Sequence, residues 1–371
     1  MAYHPPLLPQ YTVSKESILG RNVAAVMQKF GLKPEQIVKL GSNENPLGMS
    51  ERAAAVVSDT SARAARYPSP DGDLLRTCLA EEHGVTPDWI ALGAGSSEFI
   101  SISAAAFVGP GRAAVISDYA FLAAKGAVRR SGGRMIVVPA LNFGHDLDVI
   151  AAAIDDDVSV VYLVNPNNPT GTYLSGEEIT RFLETIPERV VVMLDEAYIH
   201  FVEPADSYDT VALVRRFPNL VMMRTFSKAF GLAGMRVGYV LCDPAMAAVF
   251  AHFKPIYNVG TLSLVAAVET VKDRGFLEAT IENNRRGRKQ IHEGLLALGV
   301  KFLPSTTNFF MVNVGNAETV NEKLLERGVI VRTLPNYGLP EWFRVSVGLP
   351  AENDRFLEAL AGALAPGRAD A

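Results

Sequence analysis

Between about residues 90 and 245, short runs that are apolar at nearly every position alternate with longer segments whose apolar residues recur at helical spacing. The runs Ala113 to Ser117, Arg134 to Val138, Ser159 to Val164, Val190 to Leu194, Leu220 to Thr225 and Val237 to Cys242 read as strands. Glu98 to Val108, Ala120 to Arg130, Leu147 to Ile154, Gly176 to Glu184 and Thr210 to Arg216 read as helices. A strand such as VVYLV has no polar face, so both of its sides require cover. That demand predicts an α/β architecture, a mainly parallel sheet between two layers of helices. Ligands of such sheets collect at the carboxyl ends of the strands.

Past about residue 260 the pattern changes. A long helical stretch is followed by the run Val300 to Val314, a helix near Ala317 to Arg327, the short runs Val329 to Val331 and Phe343 to Val347, and a helix from Ala351. This order predicts a smaller α+β domain. The expected division is an arm and helix over 1–40 that join the small domain, a large domain over 41–260 and the small domain over 261–371.

Composition narrows the function. Lys and Arg number 35 against 40 Asp and Glu, so no overall positive charge points to nucleic acid. The basic run Arg285-Arg286-Gly287-Arg288-Lys289 is expected to be a solvated helix face. No apolar run approaches the ~20 residues of a membrane span, and the start lacks a basic segment followed by an apolar core, so a cytoplasmic location is expected. Cys78 and Cys242 stand far apart, and six scattered histidines form no ligand spacing, so neither a disulfide framework nor a metal site is expected.

Candidate chemistry falls in the loops that should lie at the strand ends. Gly93-Ala94-Gly95-Ser96-Ser97-Glu98 leads glycines into a helix, where bare N–H groups favour an anion, although the same pattern serves equally as a tight turn. NPNNPTG (Asn165 to Gly171) follows VVYLV and reads alone as a rigid loop. DEAY delivers Asp195 from a buried strand and Tyr198 three residues later, and a buried carboxylate needs a partner. TFSKAFGLAGMR then places Lys228 and Arg236 in small or apolar surroundings.

In this order the segments match the needs of pyridoxal phosphate, namely a lysine for its aldehyde, a carboxylate for its pyridine nitrogen, donors for its ring oxygen, an aromatic over the ring and a phosphate nest. Together with SNENPLG (Ser42 to Gly48), RYPSPDG (Arg66 to Gly72) and FRVSVGLPAEN (Phe343 to Asn353), the chain from about residue 35 to 360 resembles the fold-type I aminotransferases, and among them the histidinol-phosphate aminotransferase family. The resemblance implies a seven-stranded sheet in the large domain and pyridoxal 5'-phosphate as cofactor. Lys228 would be the covalent anchor and proton carrier, Asp195 the partner of the pyridine nitrogen, and Asn168 and Tyr198 donors to the ring oxygen. Ser96, Ser97, Thr225, Ser227 and Arg236 would hold the phosphate. Phe121, ahead of Tyr119, would stack on the ring.

The resemblance further implies that Arg344 grips the glutamate carboxylate and Arg332 the distal group, with Asn45 a further substrate contact. Tyr67 would reach the neighbouring subunit's cofactor phosphate, which implies a homodimer. The expected reaction moves an amino group between L-histidinol phosphate and 2-oxoglutarate. An aromatic amino-acid aminotransferase and a lyase resembling threonine-phosphate decarboxylase share many of the motifs. Ser97 replaces an aspartate frequent in the family and Ala124 a tyrosine, and YTVSK around Tyr11 lacks the family's proline and glycine.

Overall fold

The computed structural model describes residues 22–365; Tyr11 and the rest of the N-terminal arm lie outside them. The chain opens with α1 (Val23–Phe30), β1 (Val38–Lys39), α2 (Glu51–Thr60) and α3 (Asp73–His83). There follow β2 (Ile90–Gly93), α4 (Ser96–Phe107), β3 (Ala113–Ser117), α5 (Leu122–Ser131), β4 (Arg134–Val138), α6 (Leu147–Ala152) and β5 (Val158–Val164). Next come α7 (Gly176–Thr185), β6 (Val191–Asp195), α8 (Thr210–Arg216), β7 (Leu220–Thr225), β8 (Gly238–Leu241) and α9 (Pro244–Phe253). The remainder is α10 (Thr261–Lys272), α11 (Arg274–Ala297), β9 (Lys301–Phe302), β10 (Phe309–Asn313), α12 (Ala317–Glu326), β11 (Val329–Ile330), β12 (Arg332–Leu334), β13 (Leu339–Ser346) and α13 (Pro350–Leu364).

Seven strands form one sheet in the order β2-β8-β7-β6-β5-β3-β4. The pairs from β4 across to β7 are parallel, while β8 runs antiparallel to both β7 and β2. The run Val237 to Cys242, read as one more strand of a βαβ series, is therefore the reversed strand, because no α-helix intervenes between β7 and β8 to carry the chain back across the sheet.

Both faces of the sheet are covered, as the apolar runs require. Every residue of β5 is buried. Val161 and Leu163 pack in one core with Val192, Leu194, Leu220 and Met222, and Val160, Tyr162 and Val164 pack in a second with Val191, Met193, Val221 and Met223. Successive side chains of a strand point to opposite faces, which separates these two sets. Helix α7 shows how the cover is started locally: Ser175 and Glu178 form a reciprocal capping box, and Ile179, Phe182 and Leu183 on its inner face are buried.

The run Val300 to Val314 holds two strands, β9 and β10. β9 and β10 join β13 and β12 in a four-stranded antiparallel sheet, and β1 pairs in parallel with β11. A third core forms where Val38 and Leu40 meet Phe343, Val345, Phe356 and Leu360, tying the chain around residue 40 to the C-terminal elements. Helix α10, which the sequence pattern groups with those elements, instead buries Ala266, Ala267 and Val271 in the first core beside the large sheet. Among the described residues no helix is long and apolar enough to cross a membrane.

Candidate active site

The carboxyl ends of β5, β6 and β7 lie side by side, and each leads directly into a chemically distinctive segment. β5 ends at Val164 before Asn168, β6 ends on Asp195 before Tyr198, and β7 ends on Thr225 before Ser227 and Lys228. β2, which runs in the same direction as β7 because both are antiparallel to β8, ends at Gly93 and delivers Ser96 at the N-terminus of α4. These segments surround a cavity of about 280 Å³ lined by Ser96, Ser97, Phe121, Asn168, Asp195, Tyr198, Thr225, Ser227, Lys228, Arg236, Arg332 and Arg344. Twelve of the fourteen site residues expected from the sequence therefore share one cavity.

One end of the cavity is built for an anion. Gly95 adopts φ +83°, and a Cβ there would meet the Arg236 guanidinium at 2.5 Å. A Cβ on Gly238 would meet the Ser96 nitrogen at 2.7 Å. Both glycines allow backbone and guanidinium to converge on the start of α4, where free N–H groups and the helix dipole favour negative charge. Arg236, itself at φ +50°, is steadied by the Ala233 carbonyl at 3.1 Å and the Ser227 hydroxyl at 3.2 Å.

The middle of the cavity holds the titratable groups. Asp195 is 4% exposed, and its Oδ1 accepts the Ala197 N–H at 3.0 Å. Burial pushes its carboxyl up to about 6, opposed by the Ala197 N–H. Lys228 Nζ donates to the Ser42 carbonyl at 3.1 Å, and burial, reinforced by the charge of Arg344, brings its ammonium down to about 8. Tyr198 is buried against Phe309, which raises its phenol to about 12, and its oxygen accepts the amides of Asn43 at 3.0 Å and Asn168 at 3.3 Å.

The far end is cationic. Arg332 and Arg344 are direct cross-strand partners on β12 and β13 and line the same cavity. Like charges placed opposite one another on a sheet repel, which favours an anion between or beside them. Arg344 is buried, donates to the Asn168 carbonyl oxygen and to the Gly41 carbonyl at 3.0 Å, and lies over the Phe309 ring at 5.2 Å. Its Nε is buried without a partner among the described residues, and burial lowers its pKa.

Two expected residues lie elsewhere. Asn45 donates its amide to the Ala229 carbonyl at 3.0 Å and the Thr280 hydroxyl at 2.9 Å, so it braces the chain beyond Lys228 and does not face the cavity. The asparagine turned to the site is Asn43, whose φ of +54° directs its amide to Tyr198 while its N–H donates to Ser346. The signal was present in SNENP, since asparagine is the non-glycine residue that most readily enters the left-handed region. Tyr67 is 82% exposed, stacks on Tyr257 at 4.6 Å, and is absent from the lining of this chain's own cavity. Of the two candidate stacking rings, Phe121 lines the cavity, whereas Tyr119 stacks on Phe143. Gly41, Ser42 and Tyr337 also line the cavity and were not singled out from the sequence.

The model of the family "Aminotransferase class I and II" matches residues 35–360. Histidinol-phosphate aminotransferase 2 of Ralstonia nicotianae is 43% identical over 358 residues, 95% of this chain and 96% of the relative. Histidinol-phosphate aminotransferase 1 of Dechloromonas aromatica is 45% identical over 345 residues, 93% of this chain and 95% of the relative. The crystal structure of histidinol-phosphate aminotransferase from Sinorhizobium meliloti in complex with pyridoxal-5'-phosphate superposes with a TM-score of 0.87 at 27% identity, over 95% of this chain and 98% of that one. L-threonine-O-3-phosphate decarboxylase from Porphyromonas gingivalis superposes with a TM-score of 0.78 at 26% identity, over 89% of this chain and 100% of that one. A family model that spans nearly the whole described chain, and relatives alike along almost their full length, establish that this chain belongs to the aminotransferase class I and II family.

Proposed function

We propose that the chain is a histidinol-phosphate aminotransferase that uses pyridoxal 5'-phosphate to move an amino group between L-histidinol phosphate and 2-oxoglutarate. The observation that carries the reading is the Arg332–Arg344 pair opening on the same cavity as Lys228 and Asp195. A site for two amino donors, one ending in carboxylate and one in phosphate, needs two cationic forks, and guanidinium suits both anions.

The residues present fit the cofactor. A buried carboxylate with a raised pKa calls for a cationic nitrogen, and a glycine-lined nest at a helix start calls for a phosphate. When bound, pyridoxal phosphate supplies an aldehyde for the amino group and a ring that accepts the electron pair released at the substrate α carbon. Lys228 would anchor it and then carry the proton from the substrate α carbon, a task suited to an amine that is partly neutral near neutral pH. Asp195 would keep the pyridine nitrogen protonated. Tyr198 and Asn168 would donate to the ring oxygen, Phe121 would cover a ring face, and Ser96, Ser97, Thr225, Ser227 and Arg236 would hold the phosphate. Arg344 would orient the substrate carboxylate, with Arg332 receiving the distal group.

We further propose a homodimer in which Tyr67 completes the partner's cofactor site, a reading supported by its exposure on its own chain. The division into two domains is also proposed, with α10 grouped with the large sheet on the strength of its buried residues. The testing experiment is a substrate panel with purified, cofactor-loaded enzyme. Histidinol phosphate should exceed histidinol in kcat/KM by about two orders of magnitude or more, since buried donors are otherwise left unpaired. Faster turnover of phenylalanine or tyrosine would replace this reading with an aromatic aminotransferase, and carbon dioxide release from threonine phosphate would replace it with a lyase.

A further inference from the structure

The basic run on α11 splits into two groups with different surroundings. Arg286 pairs with Glu282 on the exposed side, as a solvated face should, and Arg285 reaches the same carboxylate at 2.8 Å as well as Glu203. Arg285, Arg288, Lys289 and His292 instead fall at helical spacing i, i+3, i+4 and i+7, so they form one stripe. That stripe is usually apolar when it faces the protein body. Here it lines an open cleft of about 630 Å³ that shares no lining residue with the active-site cavity. Across the cleft stand Thr172 and Tyr173, just past the NPNNPTG loop, and the segment Leu303 to Thr306.

The charges in this cleft are poorly balanced. Glu203 is the only carboxylate among its described lining residues, and both of its oxygens are taken by Arg285, at 2.9 Å and 3.3 Å. Lys289 reaches Glu293 only at 3.9 Å. Arg288 is half-buried, gives one N–H to the Ser305 carbonyl, and has no ion pair among the described residues. Its guanidinium pKa is lowered, chiefly by burial, with the charge of Glu203 opposing that shift and the charge of Arg285 adding to it. Like charges at i and i+4, such as Arg285 and Lys289, also oppose the helix.

We propose that this cleft is a second anion site, outside the active site, that takes a small organic phosphate monoester. Arg288, which has no ion pair among the described residues, and Lys289, whose contact with Glu293 is long, supply positive charge for a phosphate group, and a guanidinium fork with an adjacent ammonium suits its oxygens. Leu303, Pro304 and Phe310 supply an apolar wall for the organic part, and the volume lies within the range of small-molecule sites. The inference is independent of the proposed reaction.

The test is a calorimetric titration of cofactor-loaded enzyme with inorganic phosphate, with ionic strength held constant by chloride. Wild type should show two binding events, of which Arg332→Gln removes the one at the active site and keeps the other. Arg288→Gln should weaken that remaining event by about tenfold or more, since it removes the least compensated cation, and should leave turnover unchanged at saturating substrate. If Arg288→Gln does not fold by circular dichroism, the exposed Lys289→Gln takes its place and should weaken the same event by about fivefold. Wild-type phosphate affinity in the folded variant overturns the proposal. So does a wild type whose single event disappears in Arg332→Gln, or a second event that chloride alone reproduces.

Discussion

Asp195 offers a test whose direction reverses the usual expectation for a buried active-site residue. Its carboxyl stands at about 6 against an ordinary 3.8, because burial disfavours the charge and, among the described residues, its Oδ1 accepts only the Ala197 N–H. A folded-state pKa above the unfolded one means the native state holds the proton more tightly. The carboxyl therefore costs no stability below about pH 4 and progressively more as pH rises through the window from 3.8 to about 6. At pH 7.5 the full difference of two units corresponds to about 3 kcal/mol, falling to about half of that at pH 5.

Asp195→Asn keeps an acceptor for the Ala197 N–H and removes the charge. Weakening that charge-assisted bond returns about 1 kcal/mol, so the cofactor-free variant should be more stable than wild type by about 2 kcal/mol at pH 7.5. Urea unfolding of cofactor-stripped protein between pH 4 and 8 measures this directly. The cofactor-loaded proteins should rank the other way, with the variant gaining less from pyridoxal phosphate and turning over by orders of magnitude more slowly. A stripped variant less stable than wild type at every pH, or one with wild-type kcat, would refute the assignment of Asp195 as an uncompensated carboxylate awaiting a cation.

Three further outcomes are expected. With an ammonium at about 8, Lys228 should have roughly a quarter of its amine neutral at pH 7.5, so cofactor attachment to stripped enzyme should accelerate with a midpoint near pH 8, and borohydride should fix the adduct to Lys228 in peptide maps; a midpoint above pH 10 contradicts this. Gly95→Ala should lower cofactor affinity by about tenfold or more, because its Cβ meets the Arg236 guanidinium at 2.5 Å and φ is +83°; an unchanged dissociation constant means the nest does not hold the phosphate. Mixing inactive Lys228→Ala with a Tyr67→Ala variant should restore activity in hybrid dimers, each with one wild-type composite site, and the absence of recovery after verified subunit exchange assigns Tyr67 to its own chain or to no site.

Much of the molecule was legible from short windows of sequence. β5, β6 and β7 announce themselves because strands buried on both faces are apolar at most positions, and the interior exceptions Ser159 and Arg224 are partnered by the Phe107 carbonyl and by Glu196. Asp195 and Lys228 were legible for the same reason: a charge at the end of an apolar strand, or in a run of small residues, stands out against its neighbours and demands a partner. What the windows could not decide was direction, register and aim. β8 reads as a strand from its residues, but only its pairing with β7 and β2 shows that it is reversed. Arg332 and Arg344 sit on short runs of the smaller sheet, and their direct opposition depends on a register that includes a bulge beside Thr333. The choice of Asn43 over Asn45 turns on a hydrogen bond from Asn43 to Ser346, 303 residues away, and on a left-handed backbone at Asn43. The basic run of α11 divides because its helix presents one side to water and the other to the segment before β10. Periodicity and turn chemistry are local energies that a few neighbouring residues set, whereas side-chain aim across a cavity is decided by contacts between segments that meet only when the chain is folded.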